Sequence, residues 1–305
     1  MFKLKKKAKE EEPTLSMVEH YGPADRIVDV IVYLLCALVA FCSIIPMWHV
    51  LMSSLSDGKA LLAHKGLVIL PIGGVTLDGY RHLFQNASIL QGYMNSIIYT
   101  VGATAIGFSL SVLTGYALSR RTKIKPIMMG MIMFTMLFGG GMVPTYMVIR
   151  ALGWVGTRWA LLIPGCTNAM FMVMMMNAFN AVPMEMYEAA RIDGAGHFRT
   201  MTQIMLPQAM NIGSVIILNS VVGQWNAWLQ ASIYVPNKKN LWPLQLWVRQ
   251  ITADNENFLN TSNPDYSRYL IRFAVVIAAI LPIVILFPFF QDKLEKGVIA
   301  GGVKG

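Results

Sequence analysis

Six stretches of this chain run for about twenty residues or more with almost no charge, the length an α-helix needs to cross a bilayer. They cover roughly Ile27–Ser56, Met94–Ser119, Pro126–Ile149, Trp159–Asn180, Ala209–Tyr234 and Tyr269–Phe290. Only 13% of the residues are charged, where a soluble domain carries about 25%. The polar surface is too small to clothe a globule in water, and the mean hydropathy is +0.51. The reading is an all-α, polytopic membrane protein with about six transmembrane helices, kinks being expected at Pro46, Pro164 and Pro282.

The net charge of +9 does not point to nucleic acid, because Lys and Arg sit in short clusters between apolar runs. Placing both termini in the cytoplasm puts the larger share of the basic residues inside, and Arg120, Arg121, Lys123 and Lys125 give the strongest single signal. The chain then divides into a cytoplasmic tail over 1–26, a six-helix transmembrane domain over 27–290 and a second tail over 291–305. The first tail is polar and reads as a tail rather than a signal peptide. Cys36, Cys42 and Cys166 lie in apolar runs and read as small hydrophobes. No ligand spacing among the five histidines implies a metal, and no catalytic residue is implied.

What is missing narrows the mechanism. No Asp or Glu occurs between Asp78 and Glu185, and the last two spans lack them too. Ion-coupled transporters usually bury ionisable groups near the midplane, so that reading is weakened. There is no phosphate-binding loop: Gly58-Lys59-Ala60 lacks both the first glycine and the hydroxyl. Nucleotide energy, if used, would come from another protein.

The loop 181–209 is the distinctive part. Pro183 suits a helix start, Glu185 and Glu188 stand near the positive end of its dipole, and Ala189 and Ala190 allow close approach. Asp193-Gly194 ends the helix, with Gly194 fitting the left-handed C′ position. A second helix is expected from about His197 to Met205, ending at Leu206-Pro207. Helix–turn–helix at the cytoplasmic face is the result.

This segment resembles the EAA motif of permease subunits in ATP-binding-cassette importers. The matching residues are Pro183, Glu185, Glu188, Ala189, Ala190, Asp193, Gly194, Ala195, Ile204, Leu206 and Pro207, with Arg191 inside the block. The long form is similar to the carbohydrate-uptake, maltose-type branch. Further matches are Asn95-Ser96, Ala117-Leu118-Ser119-Arg120, Trp225-Asn226 and the terminal KGVIAGGVKG.

The resemblance implies a type I importer permease of the bacterial plasma membrane, importing a sugar, an oligosaccharide by expectation. It implies two ATPase subunits that hold ATP and Mg, a second homologous permease, and an extracytoplasmic sugar-binding protein, with lipid around the spans. The EAA loop would be the coupling helix, and the tail with Gly301, Gly302 and Lys304 would reach between the ATPase subunits. Gln224, Trp225 and Asn226 would border the translocation path; packing between helices explains the same residues equally well. The segment 235–268 would meet the binding protein, but TADNENFLNTSNPDYSRY departs from the maltose pattern toward relatives that handle complex glycans. An ion-coupled carrier or a non-transporting scaffold remains open; a co-purifying ATPase would separate them.

Overall fold

The computed structural model describes residues 23–120, 122–258 and 266–291, and among these every regular element is helical. In chain order they are α1 (Pro23–Ser54), α2 (Gly58–Ala63), α3 (Asp78–Gln85), α4 (Ala87–Ser119), α5 (Lys125–Leu137), α6 (Met142–Ala151) and α7 (Trp159–Cys166). There follow α8 (Ala169–Asn180), α9 (Met184–Ile192), α10 (His197–Arg199), α11 (Leu206–Trp225), α12 (Leu229–Tyr234), α13 (Leu244–Phe258) and α14 (Tyr266–Leu286). The chain divides into two units, Met1–His49 and Val50–Gly305.

Four helical stretches are long and apolar enough to cross a membrane alone: Arg26–Ser54, Ala87–Ser119, His197–Trp225 and Tyr269–Gln291. Two bent pairs bring the number to six if each counts as one span. Here the structure departs from six simple rods. The third apolar stretch is α5 and α6, set at 118° to each other. Between them lie Gly139, Gly140 and Gly141, the last at φ +81°, and three glycines in a row give the helix little reason to continue. The fourth stretch is α7 and α8, bent by 46°. Asn168 begins α8 by accepting the Met170 N–H, so the break follows Pro164 by several residues. The fifth stretch also breaks, between α11 and α12 at Asn226–Trp228.

In the second unit, α4 packs against α7, α8, α11 and α13. Small residues permit this closeness: Gly107 meets the Cys166 backbone, and Gly115 meets Met175 and the Met176 backbone. With Ser111 between them, the stripe is a helix-packing surface. One core cluster gathers Val112, Tyr116, Met175, Phe179, Met205 and Ile216. Another joins Leu83, Ile89, Trp225, Leu244 and Val275, tying α3, α4, α11 and α14. Much apolar surface stays outward, as on α5, where none of the residues is buried.

Candidate functional site

The loop between the fourth and fifth spans forms α9, a tight turn and α10. Pro183 stands at the N-cap in extended conformation, leaving its missing N–H without consequence. Glu185 occupies the first turn and Glu188 the next, both exposed. Arg191, in the last turn, is exposed beside the C-terminal carbonyls. The helix stops at Asp193, and Gly194 takes φ +74°. Its N–H donates to the Arg191 carbonyl at 3.1 Å, and the Ala195 N–H donates to the Ala190 carbonyl at 2.9 Å. Together these form a Schellman motif, which satisfies carbonyls that would otherwise be orphaned. Ala190 and Ala195 are buried beneath the turn, while Ala189 faces out.

The second arm differs from the sequence expectation. It does not end at Leu206-Pro207. Instead α10 passes through a wide π-helical turn, Thr200–Met205, straight into α11, with Leu206 half-buried and Pro207 exposed in the first turn of that helix. A widened turn is where a proline is tolerated, because the chain there gives up the regular i→i−4 bond that proline cannot make. The loop is therefore continuous with a membrane span.

Aromatic contacts join this loop to α4. The Arg120 guanidinium lies 4.4 Å from the Tyr187 ring on α9 and 5.2 Å from the Tyr116 ring on α4. The Tyr116 hydroxyl is 3.3 Å from His197 Nδ1 on α10, and its ring meets Phe179 edge-on. Sequence reasoning noted Arg120 as an inner basic residue and as the end of a motif, but assigned it no contact, and gave no such role to Tyr187, Tyr116 or His197. The available signal was an aromatic residue just before Glu188 and a basic one just after the second span. Beyond the joint the loop bares large apolar side chains: Met184 is 53% exposed, Phe198 72% and Ile192 86%. Such a patch interleaved with charge marks an interaction face.

At the other end of α4 a second set of polar contacts appears. Asn95 Nδ2 donates to the carbonyls of Asn240 at 2.8 Å and Trp242 at 3.1 Å, and the Tyr99 hydroxyl donates to the Leu241 carbonyl at 2.9 Å. Ser96 Oγ accepts the Leu244 N–H at 2.8 Å.

The GQWNAW residues do not act together. Trp225 is buried and its Nε1–H donates to the Ala279 carbonyl at 2.9 Å, bonding α11 to α14. The Gln224 amide donates to the Gly165 carbonyl beside the α7–α8 break. Asn226 is exposed, and its side chain donates to the Val222 carbonyl. A cavity of about 10 Å³ between Tyr99, Leu161, Gln224, Gln230 and Pro243 has room for about one water. Gly301, Gly302 and Lys304 lie outside the described residues, as do 1–22 of the first expected tail and 292–305 of the second; the helix α1 already begins at Pro23, inside the first.

Comparison with known proteins extends this picture. Residues 107–300 match the family described as binding-protein-dependent transport system inner membrane component. The chain is 32% identical over 289 residues to the polygalacturonan/rhamnogalacturonan transport system permease protein of Bacillus subtilis, covering 92% of this chain and 99% of that one. It is 32% identical over 294 residues to protein LplC of Bacillus subtilis, covering 94% and 98%. A chain from a bacterial ABC transporter involved in the import of the acidic polysaccharide alginate superposes with TM-score 0.81 at 26% identity, covering 90% of this chain and 99% of its own.

Proposed function

The chain belongs to the family of binding-protein-dependent transport system inner membrane components, and from that premise we propose that it couples ATP hydrolysis on partner subunits to sugar import. The observation that carries the proposal is the α9–α10 loop. A rigidly terminated helix, presenting Glu185 and Glu188 among exposed apolar side chains, is clamped to a membrane span on one side and free on the other. A handle of this kind passes on a pull instead of absorbing it.

In this reading α9 seats in a cleft on an ATPase subunit, and ATP with Mg is held there rather than here. Glu188 and Arg191 make the polar contacts, Ala189 permits close approach, and Gly194 sets the turn. Asp193, Ala195, Leu206 and Pro207 keep the two arms in register. Both termini lie in the cytoplasm, and the tail residues Gly301, Gly302 and Lys304 contact the ATPase pair. A second permease completes the path, with Gln224 and Asn226 of this chain on its border. The cargo is an oligosaccharide. Relatives named for polygalacturonan/rhamnogalacturonan and alginate favour one that carries uronic acids.

Purification of the tagged chain from its own membrane tests the reading. An ATPase and a second permease should co-elute, and hydrolysis should rise when the binding protein is added with oligogalacturonides or alginate fragments. A chain that purifies alone and moves solute without ATP would end the proposal. Maltodextrin outperforming both acidic digests would end the cargo assignment only.

A further inference from the structure

We propose that α4 is a single transmission rod: its first third grips the backbone of residues 240–244, its last turn together with Arg120 just past it grips both arms of the coupling loop, and a load on one grip reaches the other. This rests on the importer reading for its biological meaning, since that reading seats an ATPase on α9 and the family resemblance sets a binding protein against the segment 235–268.

The first grip is specific, and its side chains on α4 are buried. Asn95 is 1% exposed and Ser96 2%. Asn95, Ser96 and Tyr99 make four hydrogen bonds to main-chain atoms of Asn240, Leu241, Trp242 and Leu244. Arg158 Nη2 donates to Asn95 Oδ1 at 3.3 Å, so both ends of that amide are engaged. Because the bonds go to backbone, they fix the shape and register of the segment whatever its side chains are. The adjoining residues Pro236, Asn237, Lys238 and Lys239 are exposed and open to a partner.

The second grip holds α9 through Arg120 stacked on Tyr187, and α10 through Tyr116 and His197. A guanidinium over an aromatic face is attractive yet tolerant of small rotations. That suits a joint which must hold through a change of state.

Between the grips α4 has neither proline nor break. Asn95 and Arg120 are 25 positions apart, which at about 1.5 Å per residue places them about 37 Å from each other, more than a hydrocarbon core of about 30 Å. Gly107 and Gly115 lock the middle of the rod against α7 and α8. Close-packed elements shift as bodies and do not deform smoothly.

The test uses the purified complex in lipid nanodiscs, with Ser96→Ala and Asn95→Leu at one grip, and Arg120→Met and Tyr187→Leu at the other. Tyr187→Phe keeps the ring and serves as the rescue. The readout is ATP hydrolysis against binding-protein concentration, with oligogalacturonides present. Variants at either grip should lower the maximal stimulation by about five-fold or more, while half-saturation by the binding protein stays within about two-fold. Ser96→Ala combined with Arg120→Met should be no worse than the weaker of the two singles, because both cut one line. Higher half-saturation at full maximal rate would overturn the proposal, reducing the first grip to shaping a docking loop. Hydrogen exchange decides independently of cargo and even without stimulation: Ser96→Ala should raise exchange in residues 184–196, and unchanged exchange there overturns the rod. A wild-type complex that shows no stimulation counts against the importer reading, and the exchange result still decides the rod.

Discussion

Gly107 of α4 and the carbonyl oxygen of Cys166 are so close that no side-chain carbon fits between them. Backbone meets backbone at the point where α7 gives way to α8, and neither side can swing aside as a flexible side chain would. Overpacking a tight site typically costs about 1–3 kcal/mol. Gly107→Ala should therefore lower the melting midpoint of the detergent-solubilised chain by several degrees and reduce its monodisperse yield. Gly130→Ala, where a methyl group meets nothing within 4 Å, should leave both unchanged or slightly improved. Similar behaviour of the two variants would mean the close approach is not a constraint.

Gly194 is a different kind of requirement. A methyl group there meets nothing, so space is not the issue; the backbone angle of +74° is. Left-handed backbone costs a residue with a side chain about 1–2 kcal/mol, least for Asn and most for β-branched residues. Gly194→Asn should retain most coupled uptake, and Gly194→Val should lose it while the complex still assembles. The measurement is the ratio of sugar imported to ATP hydrolysed in proteoliposomes. Equal ratios for the two variants would remove the turn from the mechanism.

Trp225 is expected from the sequence either to border the translocation path or to pack between helices. Its burial and its bond to Ala279 make it a strut between α11 and α14. Trp225→Phe keeps most of the apolar volume and removes the N–H, which in a membrane interior is worth about 0.6–2 kcal/mol. The expected outcome is a modestly lower melting midpoint with an unchanged KM for uptake. A KM raised several-fold at unchanged stability would return Trp225 to the translocation path.

The spans, the start of α9 and the stop at Gly194 were legible because each depends on local chemistry: run length, a proline, a glycine. The breaks were not. Gly139–Gly141 splits the third apolar stretch, yet glycine is common in membrane helices and hydropathy averages over it. The continuation past Pro207 was hidden because a π turn relieves proline, and nothing in TMTQIM announces one. The joint at Arg120 and Tyr187 spans 67 positions, and a contact at such separation exists only once α8 and α9 have turned back. Asn95 and Ser96 stood out as a motif, but their partners are carbonyl and amide groups that no side-chain pattern encodes.

The exposed apolar residues of the α9–α10 loop make the last prediction, because their exposure is costly unless something covers it. Ile192 and Phe198 flank the Gly194 turn, one on each arm, and neither rests against the rest of the chain to any large extent. Removing them should cost the chain little, within about 0.5 kcal/mol for exposed positions. If they anchor a partner, however, truncating a central contact typically costs about 2 kcal/mol or more in binding, roughly thirty-fold in affinity. Phe198→Asp and Ile192→Ser should each leave the melting midpoint of the isolated chain in place and strip the ATPase from it during purification. Leu70→Ser is the matched comparison, since Leu70 is 71% exposed and belongs to the segment before the second span. That variant should keep the ATPase. The contrast separates a docking face from general surface apolarity, because all three substitutions remove similar exposed area and only two of them lie on the handle.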